Sequence, residues 1–278
     1  MSEAVIEAMV ELVDVTIDHP RAGSPLVTNA NLRVPKGEVV VIVGAAGVGT
    51  SRLVAALLGE ATPSEGHIGV FGRDVGKLRR SSLRLLRRRV GIVPQDLCLL
   101  EDRSAQLNVV LPLEIDGIPR TVSVARAATV LAQMGLEDEA SLPVDCLSAS
   151  ARQRVAVARA LVRDPELIIA DHPTSAQDAQ GAERVCEAFY EAASRGSTVV
   201  VFGRDPALRL IAERNKWRQL MLLDGRLLPL GEVELEGRSI EEILVGIESA
   251  PAQIPIVADP DIPNLVQFPI TARTAGAR

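Results

Sequence analysis

A glycine-rich segment that begins at Gly44 has the residue types and the spacing that hold a phosphate group. The five residues before it, 39–43, are all β-branched and apolar, which is typical of a strand buried on both faces. Apolar residues at 53–58 follow the segment and predict a helix that ends at Gly59. In such a strand–turn–helix unit, successive backbone N–H groups and the helix N-terminus converge on one anion. The unit therefore predicts a phosphate-binding loop.

One position of this loop departs from the phosphate-loop pattern G-x-x-x-x-G-K-[ST]. The glycines and the final hydroxyl of the pattern are present, but Thr50 replaces its lysine. That lysine donates to the terminal phosphates of a nucleotide, and charge-assisted bonds of this kind contribute roughly 1.5–3 kcal/mol. Arg52 is a cation nearby, but its guanidinium cannot copy the lysine's reach, so we expect weakened nucleotide binding. The predicted nucleotide-binding residues of the loop are Gly44, Gly47, Val48, Gly49, Thr50, Ser51 and Arg52.

Composition excludes several functional classes. A formal net charge of −6 over 278 residues argues against a general nucleic-acid binder, which would carry a basic surface. The three cysteines, Cys98, Cys146 and Cys186, lack metal-ligand spacing and favour a reducing compartment. Residues 1–8 carry no secretory signature, and no apolar run approaches the ~20 residues of a membrane helix. We therefore expect a cytoplasmic chain that reaches a membrane only through a partner or a surface.

Strand and helix patterns alternate along most of the chain and predict an α/β fold with a mostly parallel sheet. A helical insert at about 97–163 interrupts the alternation. We predict one domain at 10–232, followed by a partly disordered C-terminal extension at 233–278 with one acidic helix at 239–247. Strands are predicted at 10–17, 26–34, 90–95, 167–171 and 198–202, a turn with a short strand at 63–72, helices at 81–89, 122–134, 151–163 and 183–194, and a hairpin at 220–228.

Three further segments, taken with the phosphate loop, carry a resemblance to a known family. Residues 147–161 read LSASARQRVAVARAL, residues 167–175 read LIIADHPTS, and Asp178 follows them. In order and spacing these segments resemble the ATP-binding subunits of ABC transporters, from about Val10 to Leu230. The resemblance implies an ABC-type P-loop NTPase core and a sandwich dimer. In such a dimer, nucleotide lies between the phosphate loop of one subunit and the signature loop of the other.

Within this family, residues 86–96 and 99–109 look most like the FtsE branch, which includes FtsE, LolD and MacB-type ATPases. Members of that branch pair with a membrane protein that works as a mechanical transmitter rather than a pore. The resemblance therefore implies an FtsX-like membrane partner, docked through a groove around Gln95 and residues 96–118. It also implies a homodimer or heterodimer of nucleotide-binding subunits at the inner face of the cell membrane.

The resemblance also assigns roles to single residues. Ser51, Gln95 and Asp171 match the positions that hold Mg²⁺. Ser148 matches the signature serine that faces nucleotide across the dimer, and His19 aligns with the aromatic residue that stacks on adenine.

Departures from the family pattern fall on the positions that serve ATP hydrolysis. His172 replaces the glutamate that positions the attacking water, whose loss usually costs roughly 10²–10⁴-fold in rate. Arg204 replaces the histidine that contacts the γ-phosphate. Residues 148–151 read SASA where the family has Ser-Gly-Gly-Gln, and the added β-carbons would crowd a phosphate. With Thr50 and His19, these changes predict a pseudo-ATPase that binds ATP and Mg²⁺ weakly or not at all.

Two alternatives stay open at this stage. The chain could still hydrolyse ATP, with Arg52, His172 and Arg204 as substitutes. It could also be the degenerate half of a heterodimer with an active subunit. In such a heterodimer, each of the two nucleotide sites would combine an altered motif of this chain with an intact motif of the partner. We therefore rank this alternative below a pseudo-ATPase.

A run of arginines forms the densest basic cluster of this acidic chain. Its members are Arg79, Arg80, Arg84, Arg87, Arg88 and Arg89. A solvated helix face and a surface that lies against anionic lipid are both consistent with such a run.

Overall fold

The computed structural model describes residues 8–19, 25–45 and 47–232, and these form two β-sheets with flanking helices. The strands are β1 (Ala8–Asp18), β2 (Pro25–Pro35), β3 (Val39–Gly44), β4 (Glu65–Val70), β5 (Arg73–Asp74), β6 (Val90–Val93), β7 (Leu167–Asp171), β8 (Thr198–Gly203), β9 (Arg218–Leu223) and β10 (Arg226–Pro229). The helices are α1 (Thr50–Leu57), α2 (Arg80–Arg88), α3 (Ala105–Ile115), α4 (Arg120–Gln133), α5 (Ala149–Leu161), α6 (Ala179–Ser194) and α7 (Pro206–Arg214). Across the described residues, none of these helices is long and apolar enough to cross a bilayer.

The larger sheet has six strands in the order β10-β9-β3-β8-β7-β6. All its pairings are parallel except that of β10 with β9. Every residue of β3, β7 and β8 is buried, as the continuous apolar runs predict for strands covered on both faces. The predicted α/β class with a mostly parallel sheet is therefore confirmed.

Alternate residues of β3 divide the core into two layers. Val41 and Val43 face one layer, which contains the buried side chains of α3 to α7. Val40 and Ile42 face the other, which contains α1 and the inner faces of β1 and β2. Both faces of the sheet are thus covered by core side chains. The loops lie at the ends of its strands.

Short polar side chains begin several of the helices that surround this sheet. Ser104 accepts a hydrogen bond from the backbone N–H of Leu107 at 3.2 Å, and Asp178 accepts one from Gly181 at 2.7 Å. Such caps satisfy backbone donors that have no partner within the helix.

The structure adds features that sequence patterns did not predict. Strands β1, β2, β4 and β5 form a separate antiparallel sheet in the order β2-β1-β4-β5. Helix α7 was not predicted from the sequence. The segment predicted as a helical insert contains α3, α4 and α5. The domain limits 10–232 stay a prediction, and the extension 233–278 with its helix 239–247 lies outside the described residues.

A close backbone approach between β6 and α5 yields a prediction. A β-carbon added at Gly91 would lie 2.4 Å from the backbone oxygen of Ala160 and 2.8 Å from Cγ of Pro165. Because backbone cannot move aside cheaply, we expect Gly91→Ala to lower the free energy of unfolding by about 1–3 kcal/mol in urea denaturation. Gly69→Ala is the control, since its β-carbon would make an ordinary 3.4 Å contact with Glu11. An equal decrease in the free energy of unfolding of both variants would contradict the prediction.

Candidate nucleotide-binding site

Four neighbouring strands bring the candidate residues to one edge of the large sheet. Because β3, β8, β7 and β6 run parallel, their carboxyl ends lie together. The phosphate loop follows Gly44 at the end of β3, and Arg204 follows β8. Asp171 is the last residue of β7, and Gln95 comes two residues after β6. The structure therefore assembles the positions that the sequence separates by more than 150 residues.

The phosphate loop needs its glycines. Gly49 precedes α1 with φ 106°, and a β-carbon there would lie 3.0 Å from Cβ of Leu26. Gly47 also has positive φ, at 81°. Residues with side chains rarely adopt these angles, so the loop geometry depends on glycine at both positions. The predicted loop is present, although Ala46 within it is not among the described residues.

Thr50 acts as a packing residue in this loop. It is only 7 % exposed, and its Cγ2 methyl would lie 2.9 Å from a β-carbon placed on Gly44. Arg52 is two residues further along α1, about 200° around the helix axis, so its side chain leaves from another side. The Nε atom of Arg52 is buried and has no hydrogen-bond partner among the described residues. Thr50 therefore packs within the loop. It carries no positive charge that could contact a phosphate, as the lysine of the pattern would.

Ser51 and Gln95 meet as the resemblance implies for Mg²⁺ ligands. The Oγ of Ser51 lies 3.4 Å from Oε1 of Gln95. Mg²⁺ takes oxygen ligands at 2.0–2.1 Å in octahedral geometry, so adjacent ligands lie about 3 Å apart. These two oxygens and the Asp171 carboxylate therefore suit Mg²⁺ chemically. When bound, the ion would neutralise phosphate charge.

His172 is turned toward Asp171. Its Nδ1–H donates to Oδ1 of Asp171 at 2.8 Å, and the two side chains are 16 % and 5 % exposed. His172 has φ 53°, an unusual backbone angle for a residue with a side chain. Its N–H donates to the oxygen of Phe202 at 2.7 Å and its oxygen accepts from Gln153 at 2.8 Å. The imidazole thus holds one oxygen of the carboxylate that would ligate Mg²⁺.

The loop after β8 is tied to the loop after β7. Buried Thr174 donates from Oγ1 to Oδ2 of Asp205 at 2.7 Å. The other carboxylate oxygen of Asp205 accepts the N–H of Leu208 at 2.9 Å and caps α7. Arg204, which is half-buried, directly follows β8, the strand that lies between β3 and β7 in the sheet.

Ser148 caps its own helix. Its Oγ accepts the N–H of Ala151 at 3.1 Å at the start of α5. Arg152 reinforces this turn by donating to the oxygens of Leu147 at 3.0 Å and Asp145 at 2.8 Å. Ser148 stays exposed, so a contact with nucleotide across a dimer remains a prediction.

Ser150, in place of a signature glycine, bonds within its own chain. Its Oγ donates to Oε1 of Gln177 at 2.9 Å, and Nε2 of Gln177 donates to the Ser150 oxygen at 2.9 Å. Gln153, 4 % exposed, joins the pair by accepting from Nε2 of Gln177 at 3.0 Å and from the N–H of Ala176 at 3.0 Å. The start of α5 is therefore fastened to the loop after β7. The β-carbon of Ser150 was expected only to crowd a phosphate, and its hydroxyl has this further role.

Sequence reasoning missed Gln153 and Gln177 as site residues. Gln153 had a signal, because it lies in line with Val157 and Leu161 on the apolar face of α5, where a polar residue needs a buried partner. Gln177 had none, since its partner Ser150 is 27 residues away.

Hydrogen bonds from α5 also hold the loop that follows Gln95. Arg159 of α5 donates to the backbone oxygens of Leu97 and Cys98, each at 2.5 Å. Burial lowers the pKa of Arg159 from its ordinary value, but a guanidinium still stays charged at neutral pH. Leu97 and Cys98 both have positive φ, so this arginine holds an otherwise strained turn.

His19 is half-buried and follows β1 directly, beside residues 20–24, which are not described. Its predicted stacking on adenine remains a prediction.

The sequence of this chain is similar to those of known proteins. A family profile described as "ABC transporter" matches residues 27–175. The methionine import ATP-binding protein MetN of Caulobacter vibrioides is 37 % identical over 179 residues, which cover 64 % of this chain and 54 % of MetN. The macrolide export ATP-binding/permease protein MacB of Salmonella typhi is 36 % identical over 210 residues, covering 74 % of this chain and 32 % of MacB. The chain thus spans about half the length of the first and a third of the second.

Solved structures agree with this match. The dimeric post-hydrolysis state of the ATP-binding cassette MJ0796, bound to ADP and Pi, superposes with a TM-score of 0.72 at 30 % identity. The alignment covers 79 % of this chain and 96 % of that one. The protein cbiO1 of Clostridium perfringens, part of the ABC transporter complex cbiONQ, has a TM-score of 0.69 at 25 % identity, over 80 % of this chain and 87 % of that one.

The Ser150–Gln177 pair can be tested by a double-mutant cycle. We expect Ser150→Ala and Gln177→Leu each to destabilise the protein, and the double variant to lose less than their sum by about 1 kcal/mol, because both remove the hydrogen bond from Oγ of Ser150 to Oε1 of Gln177. The free energy of unfolding is measured in urea. Gln180→Leu, at an exposed position nearby, is the control and should change little. Strict additivity would refute the coupling.

Proposed function

This chain belongs to the ABC transporter family, and we propose that it is a catalytically degenerate, FtsE-like nucleotide-binding subunit. In this proposal it hydrolyses ATP slowly or not at all and acts as a structural or regulatory partner of an FtsX-like membrane protein. ATP with Mg²⁺ binds weakly or not at all, at the carboxyl edge of the large sheet.

The bond between His172 and Asp171 carries the proposal. A residue that positions an attacking water must face the phosphate, but the His172 imidazole faces the carboxylate at 2.8 Å. A glutamate at position 172 would be repelled by Asp171 and would turn away from it. With histidine at position 172, the glutamate base of the family is missing. In addition, the imidazole is hydrogen-bonded to a carboxylate oxygen of Asp171 that would otherwise be available to Mg²⁺.

Two further contacts support it. Thr50 is buried against Gly44 and supplies no charge to a phosphate. Ser150 holds the signature segment to Gln177 of the same chain, where the family has a bare glycine backbone. The side chains of Thr50, His172 and Ser150 each contact neighbouring residues of the same chain. We expect such contacts at positions that no longer take part in catalysis.

The surface around residues 96–118 supports a membrane partner. It exposes Leu100, Leu111 and Ile115, large apolar side chains that are 45 %, 37 % and 62 % accessible. Exposed apolar residues next to a functional loop favour a docking surface. The MacB relative contains a permease in its name, and MJ0796 forms a dimer, which favour an FtsX-like partner and a homodimer or heterodimer for this chain.

An active ATPase is the second candidate, and the retained oxygens favour it. Ser51, Gln95 and Asp171 keep oxygen atoms that suit Mg²⁺, and Arg204 follows β8, the strand between β3 and β7. In this alternative Arg204 replaces the missing lysine charge, either in a homodimer or beside an active subunit.

Titration calorimetry with Mg-ATP, run beside a phosphate-release assay on the same sample, decides between the two. No heat and no phosphate support a pure scaffold. Binding without release supports a nucleotide-sensing clamp, which is also a degenerate subunit. Steady release that Asp171→Asn abolishes would overturn the proposal and favour the active ATPase.

Restoring the lysine gives a sharper prediction. Thr50→Lys should tighten Mg-ATP binding about tenfold to a hundredfold, because a charge-assisted bond contributes roughly 1.5–3 kcal/mol. Thr50→Met is the control, with similar length and no charge, and should leave the dissociation constant unchanged. Equal affinities of the lysine and methionine variants would contradict the role assigned to position 50.

Restoring the base as well should still not restore full activity. We expect Thr50→Lys/His172→Glu to turn over far more slowly than intact family members, because the signature segment at 148–151 remains altered. Phosphate release is measured with and without Mg²⁺. Robust Mg²⁺-dependent turnover would mean that the signature changes are harmless.

A further inference from the structure

Helix α2 presents an arginine surface that the candidate site does not use. Three of its arginines, Arg80, Arg84 and Arg87, recur at helical spacing and line a groove of about 650 Å³ with Gly59, Ser81 and Leu83. The groove separates α2 from the end of α1, where Arg87 donates to the oxygen of Leu58 at 2.9 Å.

Several of these guanidinium groups are not neutralised. Arg87 and Arg88 form ion pairs with Glu60 and Asp116, each at 3.8 Å. In contrast, the exposed side chains of Arg79, Arg80 and Arg84 form no ion pair or hydrogen bond within the part of the chain that the structure describes. In a chain with net charge −6, this is a concentrated positive surface.

An exposed apolar residue lies within the same surface. Leu85 is 62 % accessible and lies on the exposed side of α2, next to Arg84 in sequence and about one turn before Arg88. A helix face that combines arginines with an exposed leucine is typical of contact with a lipid headgroup region. No aromatic residue occurs in α2, whereas single-stranded nucleic acid is usually held by aromatic stacking.

The surface is continuous with the proposed docking region. Asp116, which follows α3 directly after Ile115, contacts Arg88 of α2 at 3.8 Å and Arg163 at 2.6 Å. A membrane partner bound over Ile115 would therefore bring α2 close to the bilayer.

We infer that the arginine surface of α2, residues 79–88 with Leu85, binds the phosphate-bearing headgroups of anionic phospholipids and orients the chain on the membrane. This rests on the proposed function only in placing a membrane beside residues 96–118. Binding needs neither nucleotide nor the membrane partner.

The test is sedimentation of the full chain with vesicles of phosphatidylcholine alone or mixed with phosphatidylglycerol. We expect binding only to the anionic vesicles, and weakening of that binding as salt rises. Each arginine near such a surface contributes about fivefold to the partition coefficient, so Arg80→Gln/Arg84→Gln should lower it about 25-fold. Leu85→Ser should lower it at constant charge.

The matched control is Arg126→Gln/Arg226→Gln, which removes two exposed arginines elsewhere that form no described ion pair. It should bind as the unmodified chain does. An equal loss in the control, or equal binding to neutral vesicles, would overturn the inference. Displacement from anionic vesicles by RNA but not by soluble phosphatidylglycerol headgroup would also overturn it. Calorimetry with Mg-ATP on the same variants tests the proposed function separately and should be unaffected.

Discussion

Hydrogen bonding between the parallel strands β6, β7, β8 and β3 brings four loops to one edge of the sheet. This pairing places the phosphate loop, Asp171 and Gln95 within one site, although they are distant in sequence. It depends on strands that are buried on both faces, such as β3, whose alternate residues face two separate core layers. Any change that shifts one strand would move its loop relative to the other three.

The substitutions at this edge have been absorbed into local contacts. The Thr50 methyl packs on Gly44, the His172 imidazole bonds Asp171, and the Ser150 hydroxyl bonds Gln177. A buried polar group that lacks a partner would cost roughly 1–3 kcal/mol, and the His172 imidazole and the Ser150 hydroxyl each have one. These contacts support the proposal of a chain maintained for binding or scaffolding.

Two hydrogen-bonded links also connect the site to the rest of the fold. Gln153 and Gln177 fasten α5 to the loop after β7, and Thr174 bonds Asp205 of the loop after β8. A movement of either loop would therefore be transmitted to the start of α5.

The sequence by itself determined the fold class and the location of the phosphate loop, because both depend on local patterns. Continuous β-branched runs predict buried parallel strands, and glycines at 44, 47 and 49 predict a tight turn before a helix. It also predicted that Thr50, His172 and Arg204 depart from the family pattern. Only the tertiary structure decided where their side chains point. Whether His172 faces a phosphate or Asp171, and whether Ser150 crowds a site or bonds Gln177, depends on contacts between residues far apart in the chain. Such contacts leave no local pattern.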